Sequence, residues 1–221
     1  MKPLRIGVLA LQGDFEAHRR MLDSLGAQVS EVRTPEQLVG LDGLVIPGGE
    51  STTITMGMER EGLDEAIPAF HLAGGPVLGS CAGMIVCDRA HLGLADYVCR
   101  RNAFGRQLQS FEEDLRIEGL GEEPLRAVFI RAPWIEERGS GVEVLAEVEG
   151  HAVAVRDGNV LAVAFHPELT DDSRLHASFM AMCTAARHRG VMHGHSAGSD
   201  TLGEGGGRRL TVEPEPGSPY G

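Results

Sequence analysis

The stretch Val77-Leu78-Gly79-Ser80-Cys81-Ala82-Gly83 constrains this chain more than any other. Pro76 to Ser80 reads as a short apolar strand and Ala82 to Arg89 as the start of a helix, with Cys81 at the joint and a glycine two residues to either side. That is the G-x-nucleophile-x-G pattern of a strand-to-helix elbow, with sulfur as the nucleophile. So sharp a turn forces an unusual backbone at its central residue and leaves no room for flanking side chains, which is why glycine stands on both sides. The first N–H groups of a helix carry partial positive charge. A cysteine set over them is favoured as thiolate, the reactive form. Cys87, Cys99 and Cys183 lack such surroundings and read as small buried hydrophobes.

An elbow of this kind belongs in a parallel sheet, and the remaining chain supplies one. Ile6 to Leu11, Leu44 to Ile46 and Val160 to Phe165 are continuous apolar runs of strand length, as a sheet covered on both faces requires. Asp14 caps a helix carrying Phe15, His18, Leu22 and Leu25 at helical spacing, and Gly26 stops it. Ala27 to Arg33 follows as a strand. Thr34-Pro35-Glu36-Gln37 is a capping box that opens a helix, and Leu63, Ile67 and Phe70 mark another before the elbow. The alternation predicts an α/β fold, a mostly parallel central sheet flanked by helices and flavodoxin-like.

The second half changes character. Short β-like pieces at 104–111, 127–130, 142–148 and 151–155, with an Asp157-Gly158 hairpin turn, predict a small antiparallel addition. A last helix starts near Thr170 or Asp171, carries Leu175, Phe179, Met182 and Ala186 on one face, and closes on Arg187, His188 and Arg189. Residues 1–190 then form one domain. Residues 191–221, rich in Gly, Ser, Glu and Pro, read as a disordered tail in which His193 and His195 are solvated rather than metal ligands.

A net charge of −12 argues against nucleic acid or anionic membrane as partner. Four cysteines without a C-x-x-C pair argue against a disulfide framework or zinc ribbon. With no signal peptide and no apolar run of membrane-spanning length, the expected address is the cytoplasm.

In an open α/β sheet, ligands bind outside the carboxyl ends of the strands. Four special stretches fall at such ends: Gln12-Gly13, Pro47 to Thr52, Cys81, and His166-Pro167-Glu168. His166 is the candidate base. Glu168, two residues on in an extended segment, points to the same side and can fix its tautomer. The glycines of Pro47-Gly48-Gly49-Glu50-Ser51-Thr52 can present bare N–H groups, so that Gly49 and Ala82 form an oxyanion hole. No G-K-[ST] follows, which argues against a phosphate-binding P-loop. Arginines near turns, in Arg100-Arg101-Asn102 and Ile130-Arg131-Ala132-Pro133, can anchor a carboxylate. From the residues alone, an elbow cysteine also suits a γ-glutamyl hydrolase, a DJ-1-like protein, or a binding module that keeps the scaffold.

The motifs G-V-L-A-L-Q-G-D from Gly7, L-V-I-P-G-G-E-S-T-T from Leu44, G-S-C-A-G from Gly79, H-L-G-L from His91, R-N-A-F-G-R-Q from Arg101, F-I-R-A-P from Phe129 and F-H-P-E-L-T from Phe165 resemble one family. It is the PdxT/SNO family, the glutaminase subunits of pyridoxal 5′-phosphate synthase and class I glutamine amidotransferases. The resemblance spans everything but the tail. It implies hydrolysis of L-glutamine to glutamate and ammonia, with Cys81 as nucleophile and His166 and Glu168 as base and orienting acid. It implies that Gly49, Glu50, Ser51, Arg101, Ile130 and Arg131 hold glutamine, and that Gln12 lies at the subunit interface. No metal or organic cofactor is implied. The partner implied is the PdxS synthase subunit, a barrel assembling into a ring that takes up the ammonia, the glutaminase being weakly active until docked. Two departures stand out: Ser80 where members often carry Thr, and a shorter segment between Cys81 and His91.

Overall fold

Strand and helix alternate from the first residues of the chain: β1 (Arg5–Leu9), α1 (Phe15–Ser24), β2 (Gln28–Val32), β3 (Gly43–Ile46), α2 (Ser51–Glu61), α3 (Leu63–Leu72), β4 (Val77–Ser80) and α4 (Ala82–Cys87). The second half is mostly strand: β5 (Tyr97–Arg100), β6 (Ser110–Leu115), β7 (Leu125–Ile130), β8 (Trp134–Arg138), β9 (Glu143–Val148), β10 (His151–Asp157) and β11 (Val160–Val163), closed by α5 (Arg174–Ser196). This computed structural model describes residues 2–104 and 110–196, with side chains as far as Arg189.

One seven-stranded sheet runs in the order β2-β1-β3-β4-β11-β10-β9. Its first five strands are parallel, and β10 and β9 add antiparallel at one edge. The continuous apolar runs sit where they were expected. Every residue of β3, β4 and β11 is buried, which needs cover on both faces of the sheet. Each fully buried Leu, Ile or Val side chain there contributes roughly 1.5–3 kcal/mol. The antiparallel addition has two further parts, ladders β5–β8 and β6–β7. β5 and β8 have no counterpart among the expected strands. The piece read at 104–111 falls partly on residues 105–109, outside the described residues, and strand begins at Ser110.

Several ends differ from the sequence reading, each for a local reason. The capping box at Thr34 is made, with Gln37 Oε1 accepting from both Arg33 N and Thr34 N (2.6 and 3.0 Å), but it heads only a 3₁₀ turn, Pro35–Leu38, since the chain turns away at Gly40 with φ 72°. The helical stretch before the elbow is two helices, broken at Gly62 with φ 74°. The last helix begins at Arg174 rather than Thr170 or Asp171. Pro167–Leu169 forms a 3₁₀ turn first, and the Asp172 carboxylate then accepts the Arg174 N–H at 3.0 Å. That helix also continues to Ser196. Arg187 reaches the Lys2 carbonyl and Asp42, and Arg189 reaches Asn159, so these residues tether the helix sideways instead of capping it. His193 and His195 therefore fall on a helical backbone, and 197–221 lie outside the described residues.

The short segment after the elbow closes on itself. α4 has six residues, and the buried Asp88 after it accepts N–H groups from Ala90, His91 and Cys99 and the His91 ring (2.7–3.1 Å). Tyr97, fully buried, donates its hydroxyl to the Met84 carbonyl at 2.8 Å.

Candidate active site

The carboxyl ends of β1, β3, β4 and β11 meet around one cavity of 250 Å³. Gln12, Gly49, Glu50, Ser51, Cys81, Ala82, Arg101, Ile130, Arg131 and His166 all line it, together with Ile85 and Asn102, which the sequence reading did not single out. Glu168 does not line it. It stands behind His166 with its side chain wholly buried.

Cys81 has φ 49° and ψ −106°, a conformation that L-residues adopt at a cost of roughly 1–3 kcal/mol. The surroundings enforce it. Cys81 N–H donates to Val163 of β11 at 2.8 Å, and its carbonyl accepts from Met84 at 3.1 Å. The flanking glycines are demanded by space. A Cβ on Gly79 would sit 2.7 Å from the Gly83 carbonyl oxygen, and one on Gly83 would strike the Ile46 carbonyl oxygen. Among the described residues, four non-glycines have positive φ. Three of them, Cys81, Asn102 and Arg131, line this cavity. Strain concentrated in that way marks a functional site.

Ser80 pairs in register with Val163, so β4 and β11 deliver Cys81 and His166 side by side. A Cβ built on Gly48 would fall on the His166 ring and 3.2 Å from the Cys81 Cβ, so the two side chains converge on one point. His166 Nδ1 lies 2.8 Å from Glu168 Oε1. The pairing is made through a 3₁₀ turn, with His166 as its first flank, rather than along an extended strand. The turn is pinned by the His166 N–H, which donates to Val128 of β7 at 2.9 Å.

Electrostatics follow from this packing. Burial disfavours charge on His166, but its hydrogen bonds to Cys81 and Glu168 outweigh burial and lift its pKa to about 10. Burial likewise disfavours the Glu168 carboxylate. His18 and His166 together outweigh it and hold the group well below the usual carboxylate range. The three other thiols go the opposite way. Burial raises Cys87 and Cys99 far above ordinary thiols and pushes Cys183 up to about 12, as suits small core residues.

The far wall comes from the antiparallel ladders. Arg101 follows β5 and Arg131 follows β7, and the two turns are joined by Ala103 N–H to the Ala132 carbonyl at 3.1 Å. Arg101 bridges to Glu50 Oε1 at 2.9 Å and donates to the Thr52 hydroxyl at 3.2 Å. Glu50 also caps α2. The Thr53 hydroxyl, with the N–H groups of Thr53 and Thr52, lowers its pKa to about 2. Gln12 Oε1 accepts the Glu50 N–H at 2.7 Å, which ties the β1 loop to the β3 loop. The carbonyl of Ile130 lies 3.8 Å from the Cys81 sulfur.

Three residues in contact with this site were not anticipated as parts of it. His18, Ser80 and His176 form a buried polar cluster against Glu168. The available signal was a histidine on the apolar face of α1 and another beside Leu175 on α5. Among the described residues, no group of three or more His, Cys, Asp or Glu is placed to hold a metal ion. No described helix is long and apolar enough to cross a membrane.

A nucleophile elbow on this sheet, with a His-Pro-Glu turn on the neighbouring strand, is the architecture of a glutamine amidotransferase. A solved glutamine amidotransferase matches it with a TM-score of 0.77 at 45% identity, over 81% of this chain and 98% of that one. The PurLQS structure from Thermotoga maritima shares the fold at 18% identity, with a TM-score of 0.61 over 82% of this chain and 99% of that one. Residues 8–185 match the SNO glutamine amidotransferase family, and the chain belongs to it. Relatives named pyridoxal 5′-phosphate synthase subunit PdxT from Niallia circulans and Frankia alni are 52% and 54% identical. They align with 83% and 80% of this chain and with 100% and 93% of their own. Membership in this family decides against the γ-glutamyl hydrolase, the DJ-1-like protein and the binding module.

Proposed function

We propose that the chain hydrolyses L-glutamine at Cys81 and passes the ammonia to a synthase partner that builds pyridoxal 5′-phosphate. The observation that carries the chemistry is the convergence of Cys81 and His166 on the cavity, with Glu168 at 2.8 Å behind the imidazole. With its pKa lifted to about 10, His166 is an imidazolium at neutral pH, the partner a Cys81 thiolate needs. The sulfur attacks the side-chain amide carbon of glutamine, and the N–H groups of Gly49 and Ala82 receive the oxyanion. His166 gives its proton to the leaving nitrogen. Ammonia departs and a γ-glutamyl thioester remains on Cys81. Water, deprotonated by His166, attacks that thioester. Glutamate leaves, and the thiolate–imidazolium pair is restored.

The far wall supplies recognition. Arg101 and Arg131 suit the α-carboxylate of glutamine, and Glu50, ionised down to a pH of about 2, suits its α-ammonium. Gly49, Ser51 and the Ile130 carbonyl complete the seat. No step requires a metal or an organic cofactor. We place the reaction in the cytoplasm and the partner in a ring of PdxS-type synthase barrels, with Gln12 at the contact between subunits.

Replacement Cys81→Ala lowers glutamate release by at least about 10³-fold while the fold persists. Glutamine turnover is expected to be weak for the isolated chain and to rise when the synthase subunit is added. Appreciable turnover in the alanine variant refutes the role of the sulfur, and full activity in isolation refutes the coupling.

A further inference from the structure

Behind the Cys81–His166–Glu168 set, two histidines are buried without any exposure and have no part in the chemistry above. They are His18 on α1 and His176 on α5. His18 Nδ1 lies 2.9 Å from His176 Nε2. His18 Nε2 lies 3.0 Å from the Ser80 hydroxyl and 3.2 Å from Glu168 Oε2. Elements 158 residues apart in sequence are thus joined through one imidazole to the residue before the nucleophile and to the acid behind the base.

The protonation pattern follows from burial. His176 is neutral, because burial above all pulls its pKa down to about 3. Its Nδ1 is buried without a hydrogen-bond partner. An orphaned N–H in such a place is costlier than an orphaned lone pair, so the single proton sits on Nε2 and is donated to His18 Nδ1. His18 Nδ1 is then an acceptor, and its own proton must be on Nε2, facing Ser80 and Glu168. Glu168 Oε2 is wholly buried, and its 3.2 Å contact to His18 lies off good hydrogen-bond geometry. The other oxygen, Oε1, is committed to His166.

We infer that His18, oriented by His176, is a positioning residue for this reaction: its Nε2–H is bonded to the Ser80 hydroxyl and turns its positive end on the second oxygen of Glu168 at 3.2 Å, so that Oε1 stays aimed at His166. This rests on the roles of Cys81, His166 and Glu168 given above. The groups that face Glu168 are His18 from α1 and His166 from its own turn, with His176 of α5 acting through His18. Without the His18 donor, Glu168 is protonated at a higher pH. The imidazole then loses its anchor sooner as the medium is acidified.

The test is a pair of amides in the full chain, assayed for glutamate release with the synthase subunit present. In His18→Gln the side-chain amide nitrogen reaches the Nε2 position and keeps the donor towards Glu168. In His18→Asn it stops at the Nδ1 position and cannot. His18→Asn is expected to lower kcat at neutral pH by at least about tenfold, with KM within about twofold. It is also expected to move the acid limb of kcat/KM upward by about one pH unit. His18→Gln stays within about threefold of the parent with its acid limb in place. Both variants are compared by circular dichroism and thermal melting, since a merely structural role lowers stability without moving the limb. Equal behaviour of the two amides, both active or both impaired, overturns the inference, as does the reverse order. Cys81→Ala assayed alongside keeps the two claims apart. Turnover in that variant removes the underlying reading, whereas an inactive Cys81→Ala with indistinguishable amides removes only the role of His18.

Discussion

Gly48→Ala tests the packing of the site more sharply than removal of any reacting group. A Cβ at this position would fall on His166 Cε1, 3.0 Å from His166 Nδ1 and 3.2 Å from the Cys81 Cβ. Carbon atoms pack at about 3.5–4.0 Å, so the imidazole must retreat by about 1 Å or more. Its bond to Glu168 is 2.8 Å, and a displacement of that size carries it beyond hydrogen-bond range. A misplacement of about 1 Å in a reacting constellation costs about 10² in rate. Overpacking of a filled site costs about 1–3 kcal/mol, or a fall in Tm of about 2–12 °C for a domain of this size. The measurement is kcat and KM for glutamate release, with a thermal melt on the same preparation. Gly141→Ala is the control, because a Cβ there meets nothing within 4 Å and the backbone is not left-handed. That variant keeps full activity and is neutral or slightly stabilised. A Gly48→Ala protein that turns over glutamine within threefold of the parent would show that His166 has room to spare and that Cys81 and His166 are not held together by the bare backbone at Gly48.

Other expectations follow from the same geometry. Arg101→Met removes the guanidinium from the far wall and the bridge to Glu50, so KM for glutamine rises about 10–100-fold while kcat stays within a few fold. A change confined to kcat would place Arg101 in the chemistry instead. Because the Glu168 pKa is depressed on folding, the stability it supplies is present above its unfolded value of about 4.3 and drains away as pH falls below it. Urea midpoints between pH 6 and 3 should therefore decline more steeply for the parent than for Glu168→Gln, and parallel curves would contradict the depressed value.

Much of the site was legible because its parts are short motifs with local mechanics. Gly79, Cys81 and Gly83 define an elbow through their own sterics, and the His166–Glu168 pair is made within a three-residue turn. The apolar runs of β3, β4 and β11 announced a sheet buried on both faces, and the rule for strand ends then placed four loops at one mouth. What stayed hidden depends on contacts between distant segments. His18 and His176 each look like a polar residue on a helix face until the fold sets them 2.9 Å apart. β5 and β8 are short, partly exposed strands that pair with each other; Tyr97-Val98 and Trp134-Ile135 are strand formers, but each run is too short to show an alternating pattern before the fold pairs them. The start of α5 turned on the Asp172 carboxylate reaching Arg174 N, one of several acidic residues able to cap there.

The two walls of the cavity differ in how firmly they are held, and this locates the action of a synthase partner. The reacting wall is set by a buried strand pair, a fully buried carboxylate and a histidine cluster, none of which a docking protein can reach. The recognition wall is tied by half-exposed bonds. Arg101 is bridged to Glu50, and the Glu50 N–H is held by Gln12 at the end of the β1 loop. A partner can rearrange the second wall at little cost, whereas rebuilding the first would mean opening the core. Docking should then raise glutamine turnover while the alkylation rate of Cys81 by a small electrophile such as iodoacetamide changes by no more than a few fold. That probe needs the thiolate–imidazolium pair but not the glutamine seat. Cys87, Cys99 and Cys183 stay silent in it, since burial raises all three thiols. Mass spectrometry of the alkylated chain, with and without the partner, reads the result. An alkylation rate that rises in step with turnover would mean that the triad itself is assembled on docking.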